Sequence, residues 1–107
     1  DAPLELVDAL GSVPDGQIVL VDCLTLWLYN HMLAEHDVEA RSTELLDVLS
    51  APRGPWFVVS NEVGLGIVPD TPLGRRFRDA QGRLNQKTAA AADHVLFMVA
   101  GIPMQVK

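Results

Sequence analysis

The run Ile18-Val19-Leu20-Val21-Asp22-Cys23 decides the fold. Four consecutive apolar residues, three of them β-branched, end in a carboxylate. A continuous apolar run of that length predicts a strand covered on both faces, and hence a parallel sheet. In open parallel sheets, ligands sit just beyond the carboxyl ends of the strands, where Asp22 falls. An acidic residue at that place commonly holds magnesium on nucleotide phosphates, usually through water. It can equally cap the next helix, and the residues alone leave both roles open for Asp22.

Working outward, Trp56-Phe57-Val58-Val59 is a second apolar strand, ending in Ser60, Asn61 and Glu62. Adjacent strands lie about 4.8 Å apart. If these two are neighbours, Asp22, Asn61 and Glu62 can converge on one ligand. His94–Val99 predicts a third strand, and Met104–Lys107 a short final strand antiparallel to it. Between the strands lie helical patterns. Asp1 caps a short helix with Pro3 in its first turn and Leu4, Val7 and Leu10 as its stripe. Leu24 to about Glu35 is apolar nearly all round in its first half, which predicts burial on more than one side. A helix from Ser42, its cap, to Ser50 faces Leu45, Leu46 and Leu49 inward. Thr71-Pro72 opens a long helix whose stripe is Leu73, Phe77, Ala80, Leu84, Thr88 and Ala91. Strand–helix alternation gives the α/β class. Three strands and a stub make a small sheet for that class, so residues 1–107 read as a single partial domain, the later half of a larger one.

The formal net charge of −6 hides an asymmetry. Residues 1–50 hold ten acids and one base, and residues 51–107 four acids and seven bases. Arg75, Arg76, Arg78, Arg83 and Lys87 lie within thirteen residues. The acidic total argues against nucleic-acid binding, while the local cluster allows an anionic small molecule. Part of that cluster reads as helix salt bridging, since Arg75–Asp79 and Asp79–Arg83 are each four apart. Arg78 and Asn85, seven apart, share another face of the helix. Gly82 reads as a close-contact position. No apolar run reaches the ~20 residues needed to span a bilayer. The single Cys23 reads as a small buried residue and fits a reducing compartment. His31, His36 and His94 show no ligand spacing, which predicts no structural metal. Gly64-Leu65-Gly66 lacks the third glycine and following lysine of a phosphate loop, so backbone shape explains it better.

Three blocks then fall into a known order: Val21-Asp22-Cys23-Leu24-Thr25-Leu26-Trp27-Leu28; Val59-Ser60-Asn61-Glu62-Val63-Gly64-Leu65-Gly66-Ile67-Val68-Pro69; and Arg76-Phe77-Arg78-Asp79 with Gly82-Arg83-Leu84-Asn85-Gln86. Together they resemble the bifunctional adenosylcobinamide kinase / adenosylcobinamide-phosphate guanylyltransferase family of cobalamin biosynthesis, over nearly the whole chain. The resemblance implies a RecA-like P-loop sheet with flanking helices and a cytoplasmic enzyme, often a trimer. It implies phosphorylation of adenosylcobinamide from ATP or GTP, then transfer of GMP from GTP through a guanylylated histidine. Asp22 matches the family's acidic nucleotide-site position and is expected to bind the triphosphate through Mg. Asn61, Glu62, Arg78 and Asn85 match motif positions and are expected to line the site.

The family's Gly-Lys-Ser phosphate loop and guanylylated histidine do not occur in this sequence, and His31, His36 and His94 do not occupy that histidine's place. The chain therefore reads as roughly the last three-fifths of such an enzyme, inactive alone. The alternative expectation is a non-catalytic oligomerisation or partner module for a P-loop protein.

Overall fold

The computed structural model describes residues 5–64 and 69–107. The expectations at Asp1, Pro3 and Leu4, and those at Leu65–Val68, lie outside the described residues. In chain order the elements are α1 (Leu6–Gly11), β1 (Val19–Asp22), α2 (Leu24–Leu33), α3 (Val38–Leu49), β2 (Trp56–Val59), α4 (Pro72–Ala91), β3 (Leu96–Val99) and β4 (Ile102–Gln105). The class is mixed α/β.

β1 and β2 are parallel neighbours, with Val19 opposite Trp56 and Asp22 opposite Val59. Their approach is set at the amino-terminal end. The Gly16 N–H donates to the Arg53 carbonyl at 2.6 Å, and the Val19 N–H to the Pro55 carbonyl at 3.1 Å. Gly54 sits in this junction, where a Cβ would lie 2.6 Å from the Gln17 carbonyl oxygen. Only glycine lets the two backbones come so close.

One face of the pair carries Val19, Val21, Trp56 and Val58, which pack with the helices. Leu24, Trp27, Leu28, Met32, Leu45, Ala80 and Leu84 complete the core on that side. The opposite face is open: Leu20 is 66% exposed and Phe57 58%. Coverage on both faces, expected from the apolar run, is therefore not seen among the described residues. The apolar run marked the strand correctly, but it did not count the layers. α2 behaves likewise, burying Leu24, Trp27, Leu28, His31 and Met32 while Leu26, Tyr29 and Leu33 stay exposed. Its burial is one-sided, because α3 and α4 pack on one flank only.

α3 begins four residues before the expected cap. Its N-cap is Asp37, whose Oδ1 accepts from the Glu39 and Ala40 N–H groups. Ser42 is instead buried within the helix. Val38 packs on the core, and a helix that starts there gains that contact as well as a carboxylate cap. α4 begins as its sequence predicts, with Thr71 Oγ1 accepting from the Gly74 N–H and Pro72 in the first turn.

β3 and β4 form a separate antiparallel hairpin, with Leu96 opposite Gln105 and Val99 opposite Ile102. The antiparallel pairing was expected; a third strand joined to β1 and β2 was not found among the described residues. The hairpin closes locally. Ala100 and Gly101 both have positive φ, 51° and 75°, the backbone of a two-residue primed turn. All eight residues of the two strands are exposed.

Candidate functional site

The parallel register brings the two polar strand ends side by side. Asp22 lies level with Val59, so Ser60, Asn61 and Glu62 leave β2 just beyond it. Asp22 is exposed, and among the described residues no hydrogen bond or ion pair engages its carboxylate. It does not cap α2. The N-cap there is Cys23, and no side chain caps that helix. The Asp22–Cys23 peptide is cis.

The segment after β2 is held from two helices. From α2, Thr25 Oγ1 accepts the Asn61 N–H at 3.0 Å. From α4, Asn85 Nδ2 donates to the Asn61 carbonyl at 2.8 Å. Ser60 Oγ donates to Asn85 Oδ1 at 2.6 Å, and Gln81 Nε2 donates to both Ser60 Oγ and Asn85 Oδ1 at 2.8 Å. Sequence reasoning missed Gln81 and Thr25. Gln81 falls four residues before Asn85 on the same helix face, a spacing that could have flagged it.

Beyond Asn61 an open cleft of about 470 Å3 is lined by Glu62, Arg78, Gly82, Arg83, Asn85 and Gln86, among others. Glu62, Arg78 and Asn85 are thus brought together, Asn61 joins them through its carbonyl, and Asp22 lies outside this lining. Arg78 does not present a free guanidinium. Its Nε donates to the Val63 carbonyl at 3.0 Å and its NH2 group to the Gly64 carbonyl at 2.8 Å. The Glu62 carboxylate accepts from the Gly64 N–H. Arg78 therefore shapes the wall of the cleft, and its remaining N–H groups are what it can offer a ligand. Among the described residues nothing lies within 4 Å of a Cβ built at Gly82, so the expected close contact is not found there. A side chain at that position would narrow the cleft.

The other bases are differently used than their spacing suggested. Arg83 donates to Glu39 of α3 at 2.7 Å, and Lys87 lies 3.5 Å from the same carboxylate. Hydrogen bonding from Arg83 is the main cause that holds the Glu39 carboxyl below its ordinary value. Arg75 donates to the Pro69 carbonyl. Among the described residues no ion pair joins Asp79 to Arg75 or Arg83. The arginines reach across to neighbouring segments because Glu39 and the loop carbonyls offer better geometry than an exposed helical pair.

His31 and His36 are also closer than their five-residue spacing implied. α2 ends at Leu33, Glu35 takes a positive φ of 59°, and the His36 N–H returns to the His31 carbonyl. The two Nδ1 atoms lie 2.8 Å apart. Among the described residues no three metal-ligating side chains cluster. Cys23 is half-buried and free.

The comparisons with known proteins agree with one another. The family model described as cobinamide kinase / cobinamide phosphate guanyltransferase matches residues 1–106. The chain belongs to this family. A bifunctional adenosylcobalamin biosynthesis protein of Pseudomonas aeruginosa is 42% identical over 110 residues, covering 100% of this chain and 64% of that protein. Its counterpart in Salmonella typhimurium is 40% identical, covering 97% and 65%, and that of Escherichia coli 32% identical, covering 96% and 64%. The chain thus spans just under two thirds of the length of these relatives.

Proposed function

We propose that this chain is part of a cytoplasmic enzyme of adenosylcobalamin synthesis that phosphorylates adenosylcobinamide and then transfers GMP from GTP to adenosylcobinamide phosphate. The family match supports the reaction class. The observation that carries the site is the in-register pairing of β1 with β2, which sets Asp22 beside the Asn61–Glu62 exit. A RecA-like P-loop sheet would place the triphosphate over these strand ends.

Asp22 fits a magnesium ion. It is an exposed hard oxygen donor, unengaged among the described residues, and magnesium needs only one or two protein carboxylates beside water and phosphate. Bound there, the ion would neutralise charge on the transferring phosphoryl group. Asn61, Glu62, Arg78 and Asn85 would line the corrinoid or nucleotide side of the cleft. The sequence contains no Gly-Lys pair. On this reading the phosphate cradle, which needs consecutive backbone N–H groups and a lysine, would be supplied by polypeptide other than these 107 residues. Alone, the chain should neither phosphorylate adenosylcobinamide nor retain covalent label from GTP.

The test is Asp22→Asn in the gene product that carries this sequence. Removing an electrostatic partner of the reacting phosphate should lower kcat by about 10²-fold. A variant with wild-type kcat and unchanged magnesium dependence would remove Asp22 from the site. A second reading is favoured by one observation, the exposed apolar strands β3 and β4. The chain would then be a non-catalytic assembly module for a P-loop protein. A stable oligomer in light scattering, indifferent to nucleotides, would favour that reading.

A further inference from the structure

Gln81 is fully buried, at 0% exposure, in a helix face otherwise packed with Ala80 and Leu84. Its Nε2 makes both hydrogen bonds it can donate, one to Ser60 Oγ and one to Asn85 Oδ1, each 2.8 Å. Its Oε1 is buried without a partner among the described residues. A buried acceptor left unpaired is costly, whereas an apolar side chain of the same shape would fill the space without that cost. Packing alone therefore does not account for glutamine here. What the amide gains is control of two neighbours: Asn85, which grips the Asn61 carbonyl, and Ser60, the last residue before it.

We propose that Gln81 is a positioning residue: through Ser60 and Asn85 it fixes the direction in which Asn61 and Glu62 leave β2, beside the end of β1. The proposal rests on the reading that the ligand binds at these strand ends. Gln81 touches no ligand itself. It works by locking a hydrogen-bonded network that ends on the Asn61 backbone, one residue before Glu62. Thr25 holds the same residue through its N–H, so loss of Gln81 should loosen the segment without releasing it.

The test uses Gln81→Met, which keeps the unbranched shape and removes the donors, and Gln81→Glu, which donates only when protonated. Gln81→Met should unfold at a midpoint close to wild type. In the gene product that carries this sequence, amide exchange at Asn61 should rise about 10-fold through local opening, with the core amides unchanged. In the gene product that carries this sequence, kcat should fall toward 10²-fold, the scale of a small misplacement of reacting groups, with little change in KM. Gln81→Glu should recover activity as pH falls, because the protonated carboxyl regains a donor toward Asn85. Unchanged Asn61 exchange in Gln81→Met would overturn the proposal. So would a uniform rise in exchange across the core, which marks a purely structural role. A wild-type gene product with neither activity sinks the functional reading instead, and the exchange result still decides the role of Gln81.

Discussion

The pair β1–β2 and the pair β3–β4 are built from the same kind of sequence and end in opposite situations. Val19–Val21 and Leu96–Val99 are both short apolar runs. The first pair is parallel, bridges residues far apart in the chain, and buries one face under α2, α3 and α4. The second is a local hairpin whose every strand residue is exposed. A parallel pair cannot close without the helix between its strands, so it acquires a covering layer as it forms. A hairpin needs only its turn, and Ala100-Gly101 supplies that. Apolar composition thus identifies strands, but connectivity decides which of them carries a core.

The largest expected effect tests that contrast directly. Leu28, fully buried in α2, should cost about 2–5 kcal/mol when replaced by alanine, read by urea unfolding. Met98→Ala in β3, at an exposed position, should stay within about 0.5 kcal/mol. A large effect at Met98 would mean that the hairpin is covered in solution, and the contrast would break.

Two glycines sharpen the account of the β1–β2 junction. Gly54→Ala drives a methyl group against the Gln17 carbonyl and should destabilise by about 1–3 kcal/mol. Gly82→Ala meets nothing within 4 Å among the described residues and sits inside α4, so it should stabilise by about 0.5–1 kcal/mol. Equal effects at the two sites would show that the junction is looser than its hydrogen bonds indicate. Next in size is Asp37→Ala, which removes the α3 cap and should cost about 1 kcal/mol.

Legibility in the sequence followed range of interaction. Trp56–Val59 and the Thr71-Pro72 helix start were readable because their signals are local. Ser42 drew the cap because it is a good capping residue next to an inward-facing leucine stripe; Asp37 won because Val38 found the core. The ends of β1 and β2 were legible as candidate ligand positions through the abrupt change from apolar to polar residues. What was not legible was how each polar group would be used. Arg78 turns to backbone carbonyls, Arg83 to another helix, and Gln81 disappears into the interior. The choices at Arg78 and Arg83 depend on partners 14 to 44 residues away, which no local pattern encodes.

The smallest effect concerns pH, and it too separates the buried region from the exposed one. His31 is 3% exposed, its ring stands edge-on to Trp27 at 4.7 Å, and its Nδ1 lies 2.8 Å from that of His36. Burial is the main cause that lowers its pKa from 6.5, followed by the charges of His36 and Arg41, with Glu44 opposing. Glu5 and Asp8 line the same small cavity. A histidine held neutral by the fold contributes stability that is fully present above 6.5 and is lost as pH falls, because the unfolded chain takes up the proton first. The urea midpoint should therefore drop between about pH 7 and pH 5. The contribution of Glu39, whose pKa is lowered from 4.5, is lost only at more acid pH and stays out of this window. In the neutral pair one Nδ1–H faces a bare Nδ1, whereas two protonated rings would set donor against donor. His36→Gln removes one of the charges that oppose protonation of His31, so its midpoint should fall less steeply over the same range. A midpoint that does not move between pH 7 and pH 5 in the wild type would show that the His31 ring is solvated, and that the core under α2 opens more readily than its packing implies.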